Sequence, residues 1–551
     1  MGRSRALLSV AALIAAAVTL GVRAQTPDPN RYIVLEGVGL SAVNEGPITD
    51  ESHTPRAPEA ARRAALRAAI RTQRITSSGA RYTPGRLIVK FRESATDAAR
   101  LAAVASASRT ARIGARPSYA NFDVVLIDPA DDGEDAAKRL ATSPDVEYAQ
   151  PPYRMHTMFV PNDPLYKPSV TFSPGQWNLP VIGLESAWDI QPQAGSTITV
   201  AVLDTGVAYQ NATITATVPA FRDERGVLYP ALGRITVPYS AAPQLVGAGN
   251  AGRIVAPYDF IWDRTTPLDF DGHGTHVSGT IGQLTNDNID TAGVAFNVKL
   301  MPVKVIDSVW DDLFGAPNFG DDETVARGIR YAADNGAKII NMSIGRTGPP
   351  DTAPAVEDAI RYAVGKGVFI SISAGNDFED GNPKEVVAEI ASRVQGAVSV
   401  AAVDRNVTAG DHKCAGTPTS PTCHAYYSSS GSWVELAAPG GSERGFGNDG
   451  FIWQQTFDFR LTDTFLFPPS QYRAPRFDVM AVIGYIGTSM AAPHVSGVAA
   501  MVMQQGITSP AAIEAALERF ALDLGSAGRD DQYGFGLIDA RNSLRALGVA
   551  R

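Results

Sequence analysis

The chain has 551 residues, 44% of them apolar, and a net charge of −9. That apolar share supports a large core and excludes a disordered chain, and the length allows about two to four domains. Charge is uneven: residues 1–80 carry 10 basic and 6 acidic groups (+4), residues 81–153 carry 10 and 10, and the rest carry 28 and 41 (−13). An acidic body of this kind argues against nucleic acid as a partner.

The N-terminus reads as an export signal. Arg3 and Arg5 precede an apolar run over 6–21, and Val22-Arg23-Ala24 offers small residues where a signal peptidase reads, with cleavage expected after Ala24. No later stretch reaches the ~18 apolar residues of a membrane span, so a secreted protein without a membrane span is expected. Residues 25–80 form an N-terminal extension whose stretch 57–74 reads as a basic, Ala-rich helix.

Residues 81–153 read as a small α+β domain, with strands at 86–91, 124–127 and 146–149 and helices at 94–107 and 135–142. Residues 154–175, with Pro161, Pro164, Pro168 and Pro174, read as an exposed linker and processing region. From residue 176 to 551 the pattern is long α/β alternation. Near-continuous apolar runs at 198–203, 298–305, 337–342, 368–372 and 397–401 have the character of strands buried on both faces. Helices are expected at 322–335, 354–366 and 384–393. The fold class is therefore α/β, a mostly parallel sheet with helices on both faces, preceded by the small α+β domain.

In such sheets, sites lie at the carboxyl ends of strands. The first run ends on Asp204-Thr205-Gly206, a carboxylate followed by a turn. Asp271-Gly272-His273-Gly274-Thr275-His276 follows, and His273 has the chemistry of a general base; His276, one helical turn on, is assigned to structure. Ser373-Ala374-Gly375-Asn376 ends a buried strand on a turn from which Asn376 can present its amide. Gly487-Thr488-Ser489-Met490-Ala491-Ala492-Pro493-His494 starts a buried helix of small residues. Ser489 there lies near unpartnered backbone N–H groups, which suits a nucleophile, although serine is also a common N-cap. Cys414 and Cys423, the two cysteines, would pair as a loop staple in an exported chain. A zinc site with His412 and His424 is the weaker alternative, because no second Cys/His pair stands at metal-site spacing.

The four motifs, in the order Asp, His, Asn, Ser, resemble the subtilisin-like serine proteases, the subtilases, over about residues 176–545. The resemblance implies a serine endopeptidase acting on polypeptides through an acyl-enzyme. Ser489 is then the nucleophile, His273 the base and Asp204 its orienting carboxylate. Asn376 and the Ser489 N–H hold the oxyanion. Ser343, Ile344, Gly345 and Arg346 form the edge segment that pairs with substrate and lines the first specificity pocket with Ser373, Ala374 and Gly375. Arg346 stands where many relatives have a second Gly, which casts doubt on a purely apolar preference. Residues 81–153 resemble the family's inhibitory propeptide, which blocks the cleft and is removed by self-cleavage, here expected between about residues 153 and 160.

The resemblance also implies structural calcium at Asn286, Asp287 and Asn288, in a loop where many subtilases bind it. The carboxylate that usually follows the catalytic Asp strand has no counterpart in 208–212. Residues 208–258 and 441–481 read as insertions, and the aromatics of the second (Phe446, Phe451, Trp453, Phe457, Phe459, Phe465, Phe467) read as a local core. A monomer is expected. The competing class, a non-enzymatic binding protein on the same fold, would be expected to have lost Ser489, His273 or Asn376, and all three are present.

Overall fold

The computed structural model describes residues 33–34, 82–153, 159–167, 175–223, 225–247, 252–406 and 423–545. It divides into two compact units, a small one around residues 82–153 and a large one from Phe159 to Leu544. The expected helix at 57–74 lies outside the described residues.

The small unit is a four-stranded antiparallel sheet with two helices. Its spatial order places Arg112–Ile113, Asp123–Leu126, Arg86–Phe91 and Val146–Gln150 side by side. The helices are Asp97–Ala107 and Gly133–Ala141. Thr96 starts the first by accepting the Ala99 N–H at 3.2 Å, so the helix begins three residues later than its composition predicts. The pair Arg112–Ile113 is a fourth strand absent from the sequence reading; two residues carry no period to detect. Leu87, Val89, Val125, Ala136 and Leu140 form this unit's own core.

The large unit is built on a seven-stranded sheet. Its strands are β1 (Thr199–Asp204), β2 (Tyr258–Asp259), β3 (Lys299–Lys304), β4 (Ile339–Met342), β5 (Phe369–Ser373), β6 (Ala397–Val403) and β7 (Leu436–Pro439). The spatial order is β2-β3-β1-β4-β5-β6-β7, and every neighbouring pair is parallel. Central strands such as β4, β5 and β6 are buried throughout, each Val, Leu or Ile contributing about 1.5–3 kcal/mol of transfer free energy. Around the sheet lie α1 (His273–Gly282), α2 (Asp322–Asp334), α3 (Pro354–Gly365), α4 (Val386–Ala391), α5 (Thr488–Gln504) and α6 (Pro510–Phe520). The largely buried α5 packs against α1 and against β4, β5 and β6.

Both insertions carry regular structure among the described residues. Residues 208–258 contain an antiparallel hairpin, Ala212–Val218 with Gly233–Tyr239. Its first arm alternates half-buried and exposed residues, a period-2 signal the sequence already carried. The second insertion supplies the antiparallel pair Ile452–Phe457 and Met480–Tyr485, with Ile33–Val34 added parallel at Ile483 and Gly484. The two insertions meet: the Tyr229 hydroxyl donates to the Phe465 carbonyl at 2.6 Å, and the Tyr239 ring sits 5.4 Å from Phe457. Phe451, Trp453 and Phe457 are buried, in line with a local core. Phe446, Phe459, Phe465 and Phe467 are half-buried.

Residues 159–167 are not the exposed linker that their prolines predict. Asp163, Leu165 and Tyr166 are buried, and the Phe159 N–H donates to Asp189 at 2.7 Å. Apolar side chains between the prolines decide this, because they bury against the large unit.

Candidate active site

Asp204 ends β1 and is wholly buried. The turn that follows runs against the first turn of α1 with no room for side chains. A Cβ at Gly274 would lie 2.2 Å from the Gly206 carbonyl oxygen and 3.1 Å from the Asp204 Cβ. The Gly-His-Gly pattern is thus a packing requirement, and it delivers His273 to Asp204. His273 Nδ1 lies 2.7 Å from Asp204 Oδ1, which also accepts the Thr205 N–H at 2.8 Å. A carboxylate oxygen there calls for a proton on Nδ1 and leaves Nε2 as the acceptor.

Asp269, which the sequence reading passed over, organises this corner. Its Oδ1 accepts the N–H groups of Asp271 and Gly272 and the Thr205 hydroxyl, and its Oδ2 accepts the N–H and hydroxyl of Thr275. One buried carboxylate therefore satisfies free amides at the start of α1 and ties that helix to the turn after β1. The signal was an Asp four residues before the His. Just ahead of it, the Leu268 carbonyl accepts from the buried Lys304 ammonium at 2.9 Å, itself paired with Asp311 at 2.8 Å. Removing one partner of such a pair costs about 3–5 kcal/mol.

Charge at His273 is set by opposing effects. Burial works against an imidazolium, since 17% of the side chain is exposed. Asp204, then Asp271 and Asp269, outweigh burial and carry the pKa up to about 9. Asp271, whose carboxylate accepts the His273 N–H at 3.0 Å, is pushed up to about 6 by burial and then by Asp269.

Ser489 lies in the first turn of α5. Pro493 cannot donate to the Ser489 carbonyl four residues back. The Ser343 hydroxyl does so instead, at 2.7 Å, while the Ser489 hydroxyl donates to the Ser343 carbonyl at 3.2 Å. This exchange fastens the serine to the segment after β4. Asn376 follows β5, and its Oδ1 accepts the Thr488 N–H and the Thr488 hydroxyl, each at 2.9 Å. Because a backbone N–H can only donate, these bonds fix which end of the amide is oxygen and leave Nδ2 for another partner.

Comparison with known proteins then decides the family of the chain. The sequence model of the subtilase family, peptidase S8, matches residues 195–536.

The chain belongs to the subtilase family.

It is accordingly a serine protease with a prodomain, since residues 69–152 match the model of the fervidolysin N-terminal prodomain. The thermophilic serine proteinase of Bacillus sp. (strain AK1) is 27% identical over 82% of this chain and 86% of its own length. Thermitase of Thermoactinomyces vulgaris is 29% identical over 67% and 94%. Fervidolysin of Fervidobacterium pennivorans is 28% identical over 71% and 49%. Among solved structures, a protease of Pseudoalteromonas arctica PAMC 21717 aligns at a TM-score of 0.48 and 26% identity, over 71% of this chain and all of that one.

The other singled-out residues of this subtilase fall as follows. His276 is neutral and structural: Nε2 reaches the Ile452 and Ile483 carbonyls at 3.1 and 3.2 Å, the ring stacks on Tyr485, and burial holds its pKa down at about 3. Ser343, Ile344, Gly345 and Arg346 follow β4, and Ser373, Ala374 and Gly375 lead from β5 to Asn376. The Arg346 guanidinium is bound to Asp322 at 3.0 and 3.1 Å and to the Pro350 and Thr352 carbonyls, so it is already engaged outside the segment it follows. Cys423 is disulfide-bonded; Cys414 and His412 lie outside the described residues.

In the loop after α1, the N–H groups of Asn286 and Asp287 donate to Asp163, and that of Asn288 to Asn162. Burial pushes Asp163 up to about 6; the two amides resist, and Asp287 beside it adds to the rise. Asp163 is thus the carboxylate that reaches this loop, from a segment the sequence assigned to a linker. Among the described residues, the one cluster of three acidic, His or Cys groups close enough to share a metal is elsewhere: Glu435, Glu514 and Glu518, all buried.

Proposed function

We propose that this protease is an exported endopeptidase that matures by removing its own prodomain, with Ser489, His273 and Asp204 as its triad. The observation that carries the proposal is the 2.7 Å contact of Asp204 with His273 Nδ1, which leaves Nε2 as the proton acceptor. In this mechanism Ser489 Oγ turns from the Ser343 carbonyl, gives its proton to His273 Nε2 and attacks the scissile carbonyl. Asp204 stabilises the imidazolium. Asn376 Nδ2, held outward by Thr488, and the Ser489 N–H donate to the oxyanion. His273 protonates the leaving amine, and water, activated by the same imidazole, releases the acyl group.

Residues 343–346 pair with extended substrate through their backbone, and residues 373–375 form the facing wall of the first pocket. The boundaries proposed are 1–24 for the signal, 25–80 for an extension, 81–153 for the inhibitory prodomain, 154–175 for processing and 176–551 for the catalytic domain. Export is supported by the leader and by a relative named an extracellular protease in Xanthomonas campestris; no helix among the described residues is long and apolar enough to cross a membrane. A monomer and a Cys414–Cys423 staple belong to the same proposal.

Calcium is proposed as a structural ion at the 286–288 loop. Asp287 lies beside Asp163 and adds to the rise in its pKa, and these two carboxylates with Asn286 and Asn288 supply the hard oxygen donor types that calcium takes.

Intact mass of the purified exported chain and its Ser489→Ala variant tests the main proposal. Loss of the N-terminal part up to about residues 153–160 in the parent alone supports it. Identical cutting of both assigns maturation to another protease. Cutting of neither removes the self-processing claim.

A further inference from the structure

One buried carboxylate stands between the two segments assigned to the pocket walls, and the triad does not use it. Glu385 precedes α4 and is 3% exposed. Its Oε1 accepts the Val387 N–H at 3.1 Å and, across the gap, the Arg346 N–H at 2.9 Å. A Cβ on Gly345 would lie 2.2 Å from Oε1 and 3.0 Å from Oε2, and one on Gly375 would lie 3.3 Å from the Glu385 Cβ. The carboxylate therefore fills the space that two missing side chains leave, against the backbone of both walls.

Burial pushes the Glu385 carboxyl up to about 8, against the Arg346 and Val387 amides and the Arg346 charge, so the group stays largely neutral near pH 7 until a cation meets it. Among the described residues Oε2 accepts no hydrogen bond. The nearby cations are spoken for: the Arg346 guanidinium lies on Asp322, and Lys384 Nζ lies 3.6 Å from Asp351. Asp377, just past Asn376, adds a second negative group instead of relieving the first. A role limited to tying the two segments together would be met by a neutral Gln, whose amide oxygen accepts the same two N–H groups. An acid adds what Gln lacks, a group that a cation entering between the two segments can ionise.

We propose that Glu385 is the floor of the first specificity pocket and selects substrates whose scissile carbonyl belongs to a cationic residue, Lys or Arg. The inference rests on the proteolytic reading above. A substrate ammonium or guanidinium entering between Gly345 and Gly375 completes Oε2 with a charge-assisted hydrogen bond. Neither wall carries another carboxyl, and Asp377, just past the second wall, reinforces the same preference.

The experiment compares the full chain, as purified in its processed form, with Glu385→Gln on matched peptide substrates ending in Lys, Arg, Leu or Phe before the cleaved bond. The parent is expected to favour Lys and Arg. The variant is expected to lose about 10- to 100-fold in kcat/KM on these two, the worth of a hydrogen bond to a charged group, while Leu and Phe change little. A parent that favours Leu or Phe overturns the proposal, as does a variant with the parent's ratio; a uniform loss on all four substrates marks Glu385 as structural and also overturns it. A parent that cuts nothing and takes no fluorophosphonate label on Ser489 sinks the proteolytic reading instead. Binding of p-aminobenzamidine, a flat aromatic cation followed by its fluorescence, then decides the pocket without catalysis: enhancement by the parent and not by the variant supports it, and enhancement by neither overturns it.

Discussion

Gly274→Ala tests the claim that close backbone approach, and not the triad residues alone, sets the base. The added Cβ would start 2.2 Å from the Gly206 carbonyl oxygen, where real Cβ contacts do not fall below 3.0 Å. The carbonyl belongs to the backbone and cannot rotate aside, so the first turn of α1 and the turn after β1 must part by about 0.8 Å. The neighbouring residue carries the 2.7 Å His273–Asp204 contact, which would stretch by a comparable amount. Misplacement by about 1 Å costs about 100-fold in rate, and overpacking of this kind costs about 1–3 kcal/mol of stability. The assay is kcat/KM on a peptide substrate beside a thermal melt, with Gly365→Ala as control, since a Cβ at the end of α3 meets nothing within 4 Å. The control should keep full activity. If Gly274→Ala stays within twofold of the parent in kcat/KM and melts with it, the packing argument is wrong.

Further outcomes are expected at the same site. His273 must be neutral to accept a proton, so kcat/KM should climb with pH through about 9; a pH–rate profile that peaks below pH 5 would exclude it as the base. The stability sign is opposite: the folded pKa lies above the ordinary 6.5, so the ion pair with Asp204 stabilises fully below pH 6.5 and its contribution fades as pH rises through about 9, which melts across that window will show. Asn376→Ala should lower kcat about 10²–10³-fold, the loss typical of one oxyanion donor, with KM little changed; a change in KM alone would assign the amide to ground-state binding. For the loop at Asp287, calcium at about 100 times its dissociation constant should add about 2.7 kcal/mol of stability. Chelation should then lower the melting temperature of the parent and leave that of Asp287→Asn unmoved, and equal shifts in both would remove calcium from this loop.

The sequence by itself determined the sheet's central strands and brought out the residues proposed to carry the chemistry. A strand buried on both faces is largely apolar along its length, so β1, β3, β4, β5 and β6 were legible as runs, although Lys304, Asn341, Ser371 and Ser399 are buried within them. Asp204, His273, Asn376 and Ser489 were legible because each sits beside glycines or small residues that close packing demands. Strands of two residues, Arg112–Ile113 and β2, were not, because a period needs more than one repeat to be seen.

Tertiary structure alone decided what lies between the motifs. Nothing local in the sequence joins Asn376 to Thr488, 112 positions on, or brings Glu385 across to Arg346. The engagement of Arg346 with Asp322, the burial of Asp163 in a proline-rich stretch and the meeting of the two insertions around Tyr229 and Phe465 are of the same kind. Each is a hydrogen bond or a contact between segments distant along the chain. Such pairings depend on which surfaces the core brings together, and residue type and spacing do not encode that.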